Sequence, residues 1–372
     1  MFNLTRRMQI LAVFLCSFLG VAQAVSASDL LQDYWTVEEF QALHPEEVAK
    51  SVNFNSRVQK PVRRVVDVGK VIKIVMVLPG LQVSDYWRRS IVAMEQRLSE
   101  YGVSYELKTH FTRPGVVFRE QRKKLTEFLS GDPDYVVFTL NADQHRVLIK
   151  QLIKHETAKV ILQNITTPLK TFRNKQPFLY VGFDHIFGTE LLAKQYLNRF
   201  KKETSFAIMY GERGYVSAMR CGRFQEIMVE QAHMHLVATY HVGFNRHKAY
   251  LATKDLIKTN KNLDFIYSCS TDIAFGVVDA LKETGKLGQV ITNGWGGGGS
   301  ELQAIQKGEL EFTVMRMNDD NGVAMADAIV LHSTDNDDEL PTIYSGSMII
   351  VDQDINQHRL LELRERAFRY SE

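Results

Sequence analysis

The sequence predicts an α/β protein of two doubly wound lobes, each a parallel sheet with helices on both faces. From Val71 onward, short β-branched apolar runs alternate with stretches whose apolar residues recur at i, i+3 and i+4. That is the pattern of strands joined by crossover helices, which neighbouring parallel strands require. The units are too numerous for one small sheet, so two lobes are expected. No linker or low-complexity tract interrupts the chain, so several chain passages, not one tether, are expected to join them.

The elements follow in order. The segment MFNLTRRMQILAVFLCSFLGVAQAVSAS places Arg6 and Arg7 before an apolar run over residues 10–21, then small residues. This is the order of a secretory signal peptide, residues 1–27. The run falls short of the roughly 20 residues a spanning helix needs, so cleavage and export to the periplasm are expected, with no later membrane span. Phe14 and Leu15 before Cys16 are too bulky for a lipoprotein signal. Of the 45 Lys and Arg residues the leader holds two, which leaves 43 against 43 Asp and Glu. A formally neutral mature chain carries no field calling for nucleic acid. Cys221 and Cys269 remain; an oxidising compartment permits a bridge, and buried free thiols are the expected state.

Residues 28–69, which include DYWTVEEFQALHPEEVAK, read as a polar, aromatic-sprinkled lead-in that caps the main body. The alternation then begins with VIKIVMVLPG and YWRRSIVAMEQRLSEYG. It continues through DYVVFTL, ADQHRVLIKQLIKH, KVILQNI, PFLYVGFD and FGTELLAKQYLNRF. It resumes with SFAIMYG, YVSAMRCGRFQEIMVEQA, HLVATYHV, HKAYLATKDLIKTN, DFIYSCS, DIAFGVVDALKETG and QVITNGW.

Open parallel sheets bind ligands beyond the carboxyl ends of their strands. The residues following the strands are Gln82, Ser84, Asp85 and Trp87; Gln163 and Asn164; a helix with Arg220; Ser270, Thr271 and Asp272; Trp295; and Arg316. Amides, hydroxyls, arginines and indoles suit a small polyhydroxylated ligand, with aromatic faces against C–H surfaces and polar groups on hydroxyls. Duller roles stay open. Trp87 and Trp295 are also candidates for the core, Asn164 for a loop cap, Ser270 to Asp272 for a helix N-cap, and Arg220 for a solvated helix face. Arg316 is harder to assign away, because an unpaired charge in the apolar run FTVMRMND is costly.

Other chemistries lack their signatures. There is no GxxxxGK[ST], and no GxGxxG opens the first helix after a strand. Gly296 to Gly299 have no following lysine and are read as letting the backbone approach a ligand or hinge. No acid–base pair or GxSxG elbow points to an enzyme. His233 and His235 lack a third metal ligand at recognisable spacing.

The blocks VSDYW, LQNITTP, QPFLYVGFDH, DFIYSCSTD, NGWGGG, AIQKGEL, TVMRMNDD and RAFRYS resemble, in order and from about Tyr34 to the C-terminus, the autoinducer-2 receptors of vibrios. These stand within the ribose-binding-like, type I periplasmic binding protein family. The resemblance implies two lobes joined by three crossing segments, near Gly182-Phe183-Asp184, Trp295-Gly296-Gly297 and Leu340-Pro341. It implies one lobe over residues 70–183 plus 297–335 and the other over 184–296 plus 336–372. It implies no cofactor and a ligand that is a furanosyl borate diester, held by Gln82, Ser84, Trp87, Asn164, Arg220, Ser270, Thr271, Asp272, Trp295 and Arg316. Cys221 departs from the family's glycine beside Arg220. The implied partner is the periplasmic domain of a membrane sensor kinase of the LuxQ type. The alternative is a pentose or ribose receptor serving a membrane importer. A sugar-acting enzyme lacks its acid–base pair, and a repressor lacks a helix-turn-helix ahead of Val71.

Overall fold

A computed structural model describes residues 31–80, 82–112, 118–140, 145–154 and 158–372. The expected leader, residues 1–27, lies outside them. No helix among the described residues is long and apolar enough to cross a membrane.

Six parallel strands form the first sheet. They are β1 (Ile72–Pro79), β2 (Tyr105–Thr112), β3 (Tyr135–Thr139), β4 (Lys159–Gln163), β5 (Leu179–Gly182) and β12 (Ile343–Ser345), in the order β12-β5-β4-β3-β1-β2. Side chains alternate across a strand, and both faces of β1 are covered. Ile72, Ile74, Met76 and Leu78 join a core with α3 (Tyr86–Glu100) and α12 (Asp319–Ser333). Val75 and Val77 join another with α4 (Phe118–Leu129) and α5 (His145–Ile153). A strand buried on both sides reads as a nearly continuous apolar run, VIKIVMVLP, broken by the exposed Lys73 near its start.

The second lobe holds β6 (Thr204–Tyr210), β7 (Met234–His241), β8 (Phe265–Ser268) and β9 (Ile291–Thr292), in the order β7-β6-β8-β9. Beside them β10 (Gly294–Gly296), β11 (Phe312–Arg316) and β13 (Met348–Asp352) form a three-stranded sheet. Asn293 joins the two: its side-chain amide donates to the Ser268 carbonyl at 2.8 Å and accepts from the Ser268 N–H at 3.1 Å. One side chain thus does the work of a backbone pair where the ladder breaks. The helices of this lobe are α6 (His185–Arg199), α7 (Tyr215–Ser217), α8 (Arg223–Val229), α9 (Arg246–Thr259), α10 (Thr271–Glu283), α11 (Gly299–Gln306) and α13 (Gln357–Ala367). A π-helical turn, Ala218–Gly222, links α7 to α8.

The chain first passes between lobes from β5 to α6 through Phe183 and Asp184. The other two passages differ from the expectation. The chain does not cross at Trp295-Gly296-Gly297, because β10 pairs in parallel with β11, and β11 pairs antiparallel with β13. Residues 297–316 therefore stay in the second lobe, and the passage lies between β11 and α12. Nor does the chain cross at Leu340-Pro341. β12 adds to the first sheet beside β5, so the return lies between Ser345 and Met348. An apolar run carries no label for the sheet it joins; only pairing assigns it.

The lead-in forms α1 (Val37–Leu43) and α2 (Glu46–Gln59). Thr36 and Glu39 make a reciprocal capping box at the start of α1. Phe54 and Val58 of α2 enter the first lobe's core, and the Glu47 carboxylate accepts from the Thr342 N–H at 2.7 Å. After α13 the chain returns to the first lobe, where Asp319 accepts from the backbone of Tyr370 and Ser371 at 2.7 and 3.0 Å.

Candidate functional site

The strand ends of the two sheets face each other across a cavity of about 60 Å³. Gln82, Ser84, Trp87, Asn164, Arg220, Ser270, Thr271, Asp272, Trp295 and Arg316 all border it. Drug-sized pockets run to roughly 300–1,000 Å³, so this space selects a small, compact occupant.

In the first lobe, the Trp87 indole N–H donates to the Gln82 side chain at 3.1 Å, and its ring meets Tyr86 edge-on at 4.6 Å. Asn164 follows β4 with a left-handed backbone, φ 69°, which asparagine adopts more readily than most side chains. The turn leaves its buried Oδ1 without a hydrogen-bond partner among the described residues. Gln163 points elsewhere, donating to Ser90 at 2.6 Å.

In the second lobe, Arg220 sits on the π-helical turn, a rare local form frequent at functional sites. Its Nε donates to His185 Nδ1 at 3.3 Å and its Nη1 to the Cys269 carbonyl at 3.3 Å. Its guanidinium lies 3.6 Å over the Trp295 ring. Trp295 is 1% exposed and joins the lobe's core, yet its indole N–H has no partner among the described residues. The core and cavity roles coexist. Arg316 ends β11 with its guanidinium 4.3 Å over Tyr86. Gly296 lies against it at φ 141°, and a Cβ there would stand 2.5 Å from Arg316 Nη2. That accounts for one glycine of the run.

Neither arginine has a carboxylate within ion-pair distance among the described residues. Burial and then the neighbouring Arg316 push Arg220 down to about 9, and burial lowers Arg316 too. Guanidinium holds its proton tenaciously. The strain therefore appears as attraction for an anion rather than as a neutral side chain.

Two carboxylates tie the lobes together. Asp272, in the second lobe, accepts from the Val83 N–H of the first at 2.9 Å. Asp85, in the first, accepts from Gly299 N–H at the start of α11 at 3.1 Å, where the helix end favours negative charge. Ser270 caps α10 through Ile273 N–H at 3.4 Å, so capping and cavity position coincide. Thr271 donates to the Trp295 carbonyl at 3.4 Å.

Tyr86, Val216 and Phe244 also border the cavity and were not singled out from the sequence. Tyr86 had a signal, standing beside Trp87 at the start of α3. Phe244 had none, lying in a loop after β7. Asp319 and Asp320 serve the C-terminal tail through Ser371 and Arg369. His235 pairs with Glu203 and His233 with the Phe200 carbonyl. No group of three metal-ligating side chains occurs among the described residues. Cys221 and Cys269 are buried free thiols that share the Met209 carbonyl as acceptor.

The comparisons agree with this architecture. The D-allose-binding periplasmic protein of Escherichia coli (strain K12) is 29% identical over 118 residues, 31% of this chain and 38% of that protein. The chain thus spans about two-fifths of that relative's length. A periplasmic solute-binding protein of Actinobacillus succinogenes 130z with bound D-allose superposes with a TM-score of 0.65 at 18% identity, over 76% of this chain and 98% of that one. One from Agrobacterium vitis with bound D-fucose gives 0.69 at 16% identity, over 77% and 98%. One from Bacillus halodurans C-125 with bound myo-inositol gives 0.65 at 19%, over 77% and 96%. These likenesses show a fold of two α/β lobes. Members of the family bind solutes and are not enzymes. With residues 74–336 matching its domain, the chain belongs to the periplasmic binding protein family.

Proposed function

We propose that the chain is a periplasmic receptor of the LuxP type. It closes its lobes on autoinducer-2, as the furanosyl borate diester, and signals that closure to the periplasmic domain of a LuxQ-type sensor kinase. The observation that carries this reading is the pair of buried arginines, Arg220 and Arg316, on one cavity with no carboxylate at ion-pair distance among the described residues. A neutral sugar adds no counter-charge in a water-poor space where Glu301 and Asp85 act on Arg316 only from beyond ion-pair distance, which disfavours it. A borate anion supplies the missing charge, and each charge-assisted hydrogen bond contributes about 1.5–3 kcal/mol. The indole N–H of Trp295 and Oδ1 of Asn164, both buried and without a partner among the described residues, suit an acceptor and a hydroxyl of the same ligand. Binding favours closure because contacts from both lobes exist only when they meet.

The second reading is a sugar receptor serving a membrane importer. The relatives favour it: the curated one is D-allose-binding, and solved ones hold D-allose, D-fucose and myo-inositol. The aromatic walls Trp87, Trp295 and Tyr86 suit sugar C–H faces as well.

Mass spectrometry with boron detection, on material released from the purified native protein, separates the two. Boron with a furanosyl mass supports the first reading; a boron-free pentose or hexose supports the second. Calorimetry adds a check. Under the first reading affinity for autoinducer-2 falls in borate-depleted buffer, and unchanged affinity rejects the anion role.

A further inference from the structure

His185 opens α6 at the first passage between the lobes and is fully buried. Its two ring nitrogens face cavity residues of different lobes. Nε2 lies 3.0 Å from the backbone carbonyl of Asn164, and Nδ1 lies 3.3 Å from Nε of Arg220. A carbonyl only accepts and a guanidinium only donates. These partners therefore fix one tautomer, with the proton on Nε2 and the lone pair on Nδ1. Burial, then Arg220, hold the ring neutral. The ring also meets Trp295 edge-on at 5.4 Å and Tyr215 at 5.8 Å.

We infer that His185 is a positioning residue that sets the Arg220 guanidinium for the ligand. The inference rests on the reading of the cavity as the ligand site. Nε of Arg220 is fixed by His185 and Nη1 by the Cys269 carbonyl. Those two bonds and the Trp295 face at 3.6 Å define the guanidinium plane. The Nη2 hydrogens have no hydrogen bond to the described residues and remain for ligand oxygens. Without an acceptor at Nδ1, the Nε–H is buried unsatisfied and the plane is free to turn.

The test uses the mature full-length protein, with autoinducer-2 in borate buffer and D-ribose as the two probes. In His185→Asn the side-chain oxygen stands near the position of Nδ1 and keeps the acceptor for Arg220. In His185→Gln the amide nitrogen stands near Nε2 and keeps only the donor to Asn164. His185→Phe keeps neither. For the probe that wild type binds, His185→Phe and His185→Gln lower affinity about 10- to 100-fold, and His185→Asn stays within about 5-fold. Wild-type affinity in His185→Phe, or recovery by Gln and not by Asn, overturns the inference. If His185→Phe does not fold, the Asn and Gln pair decides alone. Nitrogen-15 long-range correlation spectra of unliganded wild type add a readout that needs no ligand. A bare Nδ1 with a proton on Nε2 supports the inference, and a proton on Nδ1 overturns it. If wild type binds neither probe, the autoinducer-2 and ribose readings fail and with them the positioning role, while a proton on Nε2 in the spectra still shows the His185–Arg220 bond as a structural one.

Discussion

Among the described residues two regions bury arginine, and they treat its charge in opposite ways. Beneath the lead-in, Arg97 of α3 is 1% exposed and meets Asp327 of α12 in a forked pair, Nε to Oδ1 at 2.9 Å and Nη2 to Oδ2 at 3.2 Å. Tyr101 donates to the same carboxylate at 2.8 Å. Hydrogen bonding and charge from Asp327 outweigh burial and hold the Arg97 guanidinium above its usual range. Between the lobes, Arg220 and Arg316 are nearly as buried, at 5% and 4%, and their charge is lowered in preference by burial. The first region is complete without a ligand. The second is not. Volume alone points the wrong way: the larger space, about 570 Å³, lies beside Arg97, where the buried charge is already neutralised.

The contrast is broken most forcefully at the complete pair. Asp327→Ala takes the fork from the buried Arg97 and leaves it only the longer ion-pair contact to part-exposed Glu100 at 3.5 Å, and the expected loss is about 3–5 kcal/mol of folding stability. Urea unfolding measures it, and a loss under 1 kcal/mol removes the distinction between the regions. In the cavity the signs separate. Arg316→Met weakens binding of an anionic ligand by about 1.5–3 kcal/mol, read by calorimetry. Unfolding of the unliganded variant shows stability equal to wild type or higher, because a buried charge with no carboxylate at ion-pair distance among the described residues has been removed. A destabilised Arg316→Met with normal affinity would make Arg316 structural, like Arg97. The smallest effect belongs to the tie between lobes. Asp272→Asn weakens its acceptor for Val83 N–H, for about 0.5–1.5 kcal/mol of ligand affinity. Small-angle scattering of the unliganded variant should show a larger mean radius than wild type, and an unchanged radius argues against Asp272 as an interlobe tie.

The legible parts of the sequence were those where one local rule sufficed. The doubly covered strands announced themselves as continuous apolar runs, and strand ends then pointed to the cavity residues. Arg316 stood out because its run is otherwise apolar. β2 and α4 were missed for a physical reason. β2 is the edge strand of its sheet, largely accessible to solvent, and reads YELKTHFT with Glu106, Lys108 and His110 along it. Such charges keep edge strands from pairing further and hide the strand's apolar pattern. α4 follows it as the polar FREQRKKLTEFL. His185 was missed because a lone histidine gives no sign of which carbonyl and which guanidinium will flank it.

The sequence by itself determined the strand and helix alternation, the rows of side chains at the strand ends and the balance of charge, because these follow from spacing along one chain. Only the tertiary structure decided which sheet β11 and β12 join, where the chain passes between lobes, and which buried arginine receives a carboxylate. Arg97 and Asp327 are 230 residues apart in sequence. Compensation between such charges depends on distance in space, and that distance exists only once helices from remote parts of the chain are packed together.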